Sequence, residues 1–148
     1  MRTLIASVLL SAVLLLGAAA VPAGDTAKGY KIVVHRDNRV AAISRTELTQ
    51  LFLKKKGQWA DGTPVSPVDR DPDAAVRARF SSDVLHKDVA TIKSYWERQL
   101  FTGHATPPPV LRSDREVLAF VANARGAVGY VAPDTQLPDG VRSVDVSE

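Results

Sequence analysis

The chain has 148 residues, 45% of them hydrophobic, and its 19 Lys and Arg against 16 Asp and Glu give a formal net charge of +3. This composition is typical of one small globular domain and excludes a disordered tail. Cysteine is absent, which excludes disulfides, thiolate nucleophiles and Cys-ligated metal sites. The charge is spread along the chain, with residues 54–56 as the one basic run, so we expect no nucleic-acid partner.

The first 23 residues have the pattern of a cleaved secretory signal. Arg2 supplies a positive charge, an almost unbroken apolar run follows it, and small residues come next. Cleavage fits after Ala20 or after Ala23. The apolar run is shorter than the ~20 residues of a membrane span, so an uncleaved anchor is the less favoured alternative. We expect a periplasmic or secreted chain with one domain over residues 24–148 and no stable membrane anchor.

The mature chain begins with a predicted strand and a capped helix. Lys31–His35 is a β-branched run that suits a strand buried on both faces. Ser44 and Glu47 form a capping box, and the helix they begin has an apolar stripe of Leu48, Leu51 and Phe52. Residues 54–56 lie at its C-terminal end, where cations favour the helix dipole; a polyanion site is the less favoured alternative. Gly57 fits the C′ position.

A second extended run, residues 64–68, precedes two more predicted helices. Asp73 is expected to cap a helix with apolar positions Val76, Phe80 and Val84. Asp88 is expected to cap the next, with Val89, Ile92 and Trp96 on one face. Residues 101–109 contain three consecutive prolines, which predict an irregular connection that can equally serve as a docking ledge.

The last third predicts one helix and two strands. Ser113 and Glu116 form a second capping box, and Gly126 is expected to end a helix that buries Val117, Leu118, Phe120 and Val121. Ala127–Val131 predicts a strand whose glycine allows the close approach of backbone or ligand. Residues 141–146 alternate as in an edge strand. The order β, α, β, α, α, α, β, β predicts an α/β fold, with a sheet covered by helices.

Motifs of common enzymes are absent from the sequence. It has no glycine-rich phosphate loop, no nucleophile elbow and no zinc-protease helix. The three histidines are isolated, and the alternating Asp69, Asp71 and Asp73 lack the glycine and distal Glu of a calcium loop. A Ser-His-Asp triad is a low-ranked alternative, because no serine stands on a strand-to-helix elbow. We expect no catalytic residue, no metal and no cofactor, and therefore no enzyme.

One local arrangement suits an oxyanion. The extended run 64–68 leads into Asp69-Arg70-Asp71-Pro72-Asp73, and a predicted helix follows. Free backbone N–H groups at the helix start then lie beside a guanidinium, which is how proteins hold oxyanions.

Four segments match one known family in the right order. Residues 43–62 resemble its helix followed by a tryptophan and an aspartate, residues 65–70 the strand that delivers a phosphate-binding arginine, and residues 79–85 the helix after it. Gly126-Ala127-Val128-Gly129-Tyr130-Val131 is similar to the signature G-A-I-G-Y-V. The family is that of the phosphate-type periplasmic substrate-binding proteins of ABC transporters, and in particular their short, exported, single-lobe relatives. The resemblance implies a single lobe of the type II periplasmic-binding-protein fold, a mixed sheet flanked by helices.

The resemblance also implies a function and a site. It predicts an exported solute-binding protein that binds phosphate or a related oxyanion and acts with an ABC importer. The ligand-binding residues that it implies are Arg70, Asp71, Asp73, Ala74 and Arg77. An anion held by a single lobe needs a second wall, which dimerisation can supply.

The chain departs from the family where the anion binds. The family has a serine- and glycine-rich turn after the arginine, whereas here Pro72 lacks a donor, no hydroxyl is present, and Asp71 and Asp73 bring negative charge. Arg70 can serve an oxyanion, or it can be neutralised internally by Asp69, Asp71 or Asp73. The alternative function is therefore a single-lobe interaction module that has lost anion binding and contacts another envelope protein.

Overall fold

The computed structural model describes residues 29–148, so the predicted signal segment lies outside the described residues. Over this range the chain forms seven strands and four helices. In chain order they are β1 Lys31–His35, β2 Ala42–Ser44, α1 Arg45–Phe52, β3 Ser66–Pro67, β4 Asp69–Arg70, α2 Ala75–Val84, α3 Val89–Phe101, β5 Val110–Leu111, α4 Asp114–Asn123, β6 Ala127–Val131 and β7 Val141–Ser147. The four predicted helices and four predicted strands are present. The short strands β2 and β5 were not predicted, and β4 lies within residues 65–70, where the resemblance implies a strand.

The main sheet of the described chain has five strands in the order β2-β7-β1-β6-β3. β1 runs antiparallel to both β6 and β7, whereas β2 pairs with β7 and β3 with β6 in parallel. β4 and β5 form a separate parallel pair. The predicted α/β class with a mixed sheet is confirmed, and β1, β3 and β6, which lie in three of the predicted extended runs, share that sheet.

Hydrophobic side chains pack on both faces of this sheet. Along β1, Ile32 and Val34 belong to one buried cluster and Val33 to the other, as the two-residue period of a strand requires. The first cluster includes apolar side chains of α1, α2 and α3, and the second includes those of α4. The helices therefore cover both faces, and β1 is buried on both, as predicted.

The prediction that β7 is an edge strand is wrong. β7 lies between β2 and β1, because Ala42–Ser44 adds a parallel strand outside it. Side-chain alternation reports which face of a strand is buried, not how many neighbours the strand has. The three residues of β2 are too few to show a pattern of their own.

Three predicted N-caps are confirmed. Ser44 accepts a hydrogen bond from the Glu47 N–H at 3.1 Å, Asp88 from the Thr91 N–H at 2.7 Å, and Ser113 from the Glu116 N–H at 3.2 Å. These contacts satisfy donors that a helix start leaves free. Hydrogen bonds from Thr91 lower the pKa of Asp88.

Asp73 does not cap α2, contrary to the prediction. The N-cap is Ala74, which makes no side-chain capping hydrogen bond. The Asp73 N–H instead donates to Oδ1 of Asp71 at 3.0 Å, so the loop closes on itself one residue before the helix begins. The predicted buried positions Val76, Phe80 and Val84 are nevertheless confirmed.

Two glycines do not end helices as predicted. α1 ends earlier than Gly57, and the left-handed residue after its C-cap is Lys54, with φ 54°. α4 leaves the helix in extended conformation at Ala124, three residues after Val121, the last of its predicted buried residues. Gly126 is required for another reason, since a Cβ there would lie 1.9 Å from the carbonyl oxygen of Pro64.

Candidate functional site

The candidate site lies where the chain passes from β4 into α2. β4 is held against β5 by parallel pairing, and the Asp71 N–H donates to the carbonyl of Leu111 at 3.0 Å. The five residues that the resemblance implies all lie in β4, the loop or α2. Arg70 and Arg77 are buried, Asp71 and Ala74 half-buried, and Asp73 exposed.

Arg77 is engaged inside the protein. Its Nη1 lies 2.5 Å from Oδ2 of Asp69, and both side chains are buried. The same Nη1 donates to the carbonyl of Arg70 at 3.0 Å, and Nε donates to Oγ of Ser81 at 3.3 Å. Arg77 thus ties α2 to β4 and has little surface to offer a ligand.

Tyr130 completes this buried group. Its hydroxyl donates to Oδ1 of Asp69 and lies 3.3 Å from the Arg70 N–H, which also donates to Asp69. Burial raises the pKa of Asp69, while Arg77 and the Tyr130 hydroxyl oppose that rise. Burial and the Asp69 carboxylate also raise the pKa of Tyr130, which keeps its proton.

Arg70 is paired with Asp114, in the first turn of α4. Its Nη1 donates to Oδ1 of that carboxylate, and the side chain is 9% exposed. The other oxygen of Asp114 accepts from the Ala132 N–H at 3.0 Å and from the Thr135 hydroxyl at 2.6 Å. Internal neutralisation of Arg70 is therefore observed, but the side-chain partner is Asp114 and not Asp69, Asp71 or Asp73 as the sequence suggested. Within the described chain, Nε of Arg70 is buried without a hydrogen-bond partner.

The N-terminus of α2 retains free donors. The N–H groups of Arg77 and Ala78 both donate to the Ala74 carbonyl, whereas those of Ala75 and Val76 have no acceptor among residues 29–148. Pro72 has no N–H. Two backbone donors remain where the resemblance places an anion.

The balance of charge at this position is negative. The site contains two guanidinium groups, those of Arg70 and Arg77. It contains four carboxylates, those of Asp69, Asp71, Asp73 and Asp114. Both cations already have a carboxylate partner, so an added anion meets net like charge in a partly desolvated setting.

Two residues of this site were not predicted as partners of its charged groups, namely Asp114 and Tyr130. Asp114 lies 44 residues from Arg70 along the chain, and its one local signal, an acidic residue in a helix first turn, is explained by the helix dipole. Tyr130 belongs to a segment that the resemblance quoted, but no pattern showed that its hydroxyl faces Asp69. Among the described residues no group of His, Asp or Glu side chains could hold a metal ion, and no helix is long and apolar enough to span a membrane.

No protein-family model matches the chain, and no curated protein matches it in sequence. Solved structures are similar in fold. An ABC-type phosphate transport receptor from Vibrio cholerae has a TM-score of 0.63 and 17% identity over 80% of this chain and 46% of that chain. A structure from Clostridium perfringens, described as a phosphate ABC transporter substrate-binding protein with bound phosphate, has a TM-score of 0.62 and 18% identity over 80% and 44%. PstS from Borrelia burgdorferi has a TM-score of 0.56 and 13% identity over 81% and 47%.

The chain therefore has the fold of phosphate-type substrate-binding proteins, as the resemblance implied. It spans less than half the length of each of these three structures. The match is consistent with one lobe of the type II periplasmic-binding-protein fold, in which a mixed sheet is flanked by helices.

Proposed function

We propose that this chain is an exported, non-catalytic module of the phosphate-type fold that acts by contact with another envelope protein and does not bind free phosphate tightly. The observation that carries the proposal is the internal pairing of both arginines, Arg70 with Asp114 and Arg77 with Asp69. The position at which the fold would hold an anion is filled by the protein's own carboxylates.

The interaction energies favour the internal ion pairs over binding of an anion. A charge-assisted hydrogen bond from Arg70 to an oxyanion contributes about 1.5–3 kcal/mol. Binding through Nη1 requires Asp114 to give up its partner, and the loss of a partner costs a buried ion up to about 3–5 kcal/mol. Binding through the unpartnered Nε leaves that pair intact, but the anion then lies beside the Asp114 carboxylate on the same guanidinium. Asp71 and Asp73 add repulsion. Tight binding of free phosphate by the described chain alone is therefore unfavourable.

A second candidate function is binding of phosphate or a related oxyanion, with delivery to an ABC importer. Two observations favour it, the free N–H groups of Ala75 and Val76 and the buried Nε of Arg70 without a partner. Backbone donors at a helix N-terminus are a common element of anion sites. This candidate shares the site residues Arg70, Asp71, Asp73, Ala74 and Arg77, and it requires either that the anion bind at the free Nε of Arg70 or that Asp114 release Nη1.

Calorimetry with phosphate, sulfate and small carboxylates separates the two candidates. The proposed function predicts no saturable heat at ligand concentrations up to ~1 mM, for the wild type and for Arg70→Ala. The second candidate predicts binding that Arg70→Ala weakens by about tenfold to more than a hundredfold. Arg115→Ala, an exposed arginine of α4, is the matched control and should match the wild type in either case. Saturable wild-type binding that depends on Arg70 would replace the proposed function with the second candidate.

Export is a separate part of the proposal and rests on the first 23 residues of the sequence. Mass spectrometry of the chain recovered from the periplasmic or secreted fraction should show a new N-terminus at residue 21 or 24. Recovery of a chain that retains Met1 would contradict export by a cleaved signal.

A further inference from the structure

A groove of about 530 Å³ lies along one side of α3. One wall is α3. The other is formed by Asp69 of β4, the loop before α2 and Arg77 of α2, and by the proline segment with Val110 of β5 after it. Of the 13 residues of α3, Ile92 and Trp96 are buried. The helix is therefore attached to the domain along a narrow stripe, and its groove side is left without a covering element in the described chain.

The exposed large hydrophobic side chains of the described residues lie in this groove or next to a residue that lines it. The large hydrophobic residues exposed in residues 29–148 are Phe101, 94% exposed, Val110, 52%, and Leu100, 51%. Leu100 and Val110 line the groove, and Phe101 is the residue after Leu100. Exposed apolar surface that is concentrated in this way marks an interaction site.

The charged side chains on the groove side of α3 can pair with the same side chains of a second, antiparallel copy. Lys93 and Glu97 both line the groove, with side chains 79% and 61% exposed and 3.6 Å between Nζ and Oε1. Two copies of α3 can pack antiparallel about a two-fold axis that passes midway between residues 93 and 97. Lys93 of each copy then lies at the same level as Glu97 of the other copy. One helix face thus presents the complement of its own charge pattern, as an isologous interface requires.

The same axis matches the sizes of the remaining side chains. Positions equally distant from the midpoint lie at the same level along the two helices, so Ala90 is level with Leu100 of the second copy. Small residues at one end of the helix leave room for large ones from the other end, as close packing of helices requires.

We propose that a second copy of this chain covers the groove, through antiparallel two-fold packing of α3 with Phe101 of each copy buried against the other. The pairing removes from water the most exposed large side chain of the described structure and forms two Lys–Glu contacts between copies. It goes beyond the proposed function. Because Asp69, Asp73 and Arg77 of the candidate site also line the groove, the second copy would lie beside that site.

Sedimentation velocity over a range of concentrations tests the proposal. The wild type should show a concentration-dependent dimer, and Phe101→Ser should be monomeric at concentrations where the wild type is dimeric. Because Phe101 is almost fully exposed in the monomer, this variant should retain the wild-type circular dichroism spectrum. A wild type that stays monomeric throughout would overturn the proposal and leave the groove to a small apolar ligand or to a different protein.

Charge reversal tests the register of the pairing. Lys93→Glu and Glu97→Lys should each weaken the dimer roughly tenfold, because each turns two attractive contacts into two repulsive ones. An equimolar mixture of the two variants should regain the dimer, since one copy then presents two acidic side chains and the other two basic ones. Arg98→Glu, on α3 but outside the groove lining, is the matched control and should dimerise like the wild type. A mixture that stays monomeric would contradict the proposed register.

Discussion

The buried ion pair of Asp69 and Arg77 joins β4 to α2 at the point where the resemblance predicts ligand contacts. Each member has further partners, since Asp69 accepts from Tyr130 and from the backbone of Arg70, and Arg77 donates to Ser81. A buried pair with its remaining donors and acceptors satisfied is costly to break, because removal of one partner leaves the other as an uncompensated charge. At this position charged residues therefore have a structural role.

Removal of one member of this pair should destabilise the protein strongly. Arg77→Met is expected to lower the free energy of unfolding by about 3–5 kcal/mol, as measured by urea denaturation. The double variant Asp69→Asn/Arg77→Met should lose less, because no buried charge is left alone. Arg36→Met, which breaks the exposed contact of Arg36 with Asp37, should cost less than about 1 kcal/mol. Equal losses for Arg77→Met and Arg36→Met would contradict a structural role for Arg77.

Arg70 shows what the sequence could and could not predict at this scale. Its position at the end of an extended run and before a helix was predictable from local pattern, and so was its internal neutralisation. The identity of its partner was not, because Asp114 reaches it from the start of α4 through the tertiary fold. Three nearer aspartates in the sequence were better candidates by distance along the chain alone.

Helix starts were the most predictable elements. The capping signal is local, since a side chain at one position bonds an N–H three residues later, and Ser44, Asp88 and Ser113 all act in this way. The exception is α2, where the Asx turn of Asp71 uses the N–H of Asp73 and the N-cap is Ala74, one residue later than predicted. Helix ends were less predictable. Glycines were expected to end α1 and α4, at Gly57 and Gly126, whereas α1 ends before the left-handed Lys54 and α4 ends at Ala124.

Loss of a capping hydroxyl should have a measurable cost. Ser44→Ala and Ser113→Ala are each expected to lower the free energy of unfolding by about 1 kcal/mol, which chemical denaturation can resolve. Ser82→Ala is the matched control, since Ser82 is exposed within α2, and it should change stability by less than about 0.5 kcal/mol. If all three substitutions have the same effect, the two serines do not act as caps.

At the scale of the whole molecule, the chain shares its fold with phosphate-transport proteins, and its own carboxylates pair with both arginines of the candidate site. The sheet order, the helices on both faces and the similarity to three phosphate-transport proteins describe the scaffold. The carboxylates that pair with Arg70 and Arg77 belong to the candidate site on this scaffold. Because function resides in sites and not in folds, the scaffold alone does not make the chain a phosphate carrier.

The most direct test of this account is a phosphate titration of the isotope-labelled chain followed by NMR. The informative signals are the backbone N–H groups of Ala75 and Val76 and the side-chain Nε–H of Arg70, since an anion held at this position must contact them. The account predicts no saturable shift of these signals up to ~1 mM phosphate, a concentration that corresponds to a binding free energy of about −4 kcal/mol. Saturating shifts of all three signals with one common dissociation constant below that concentration would contradict it.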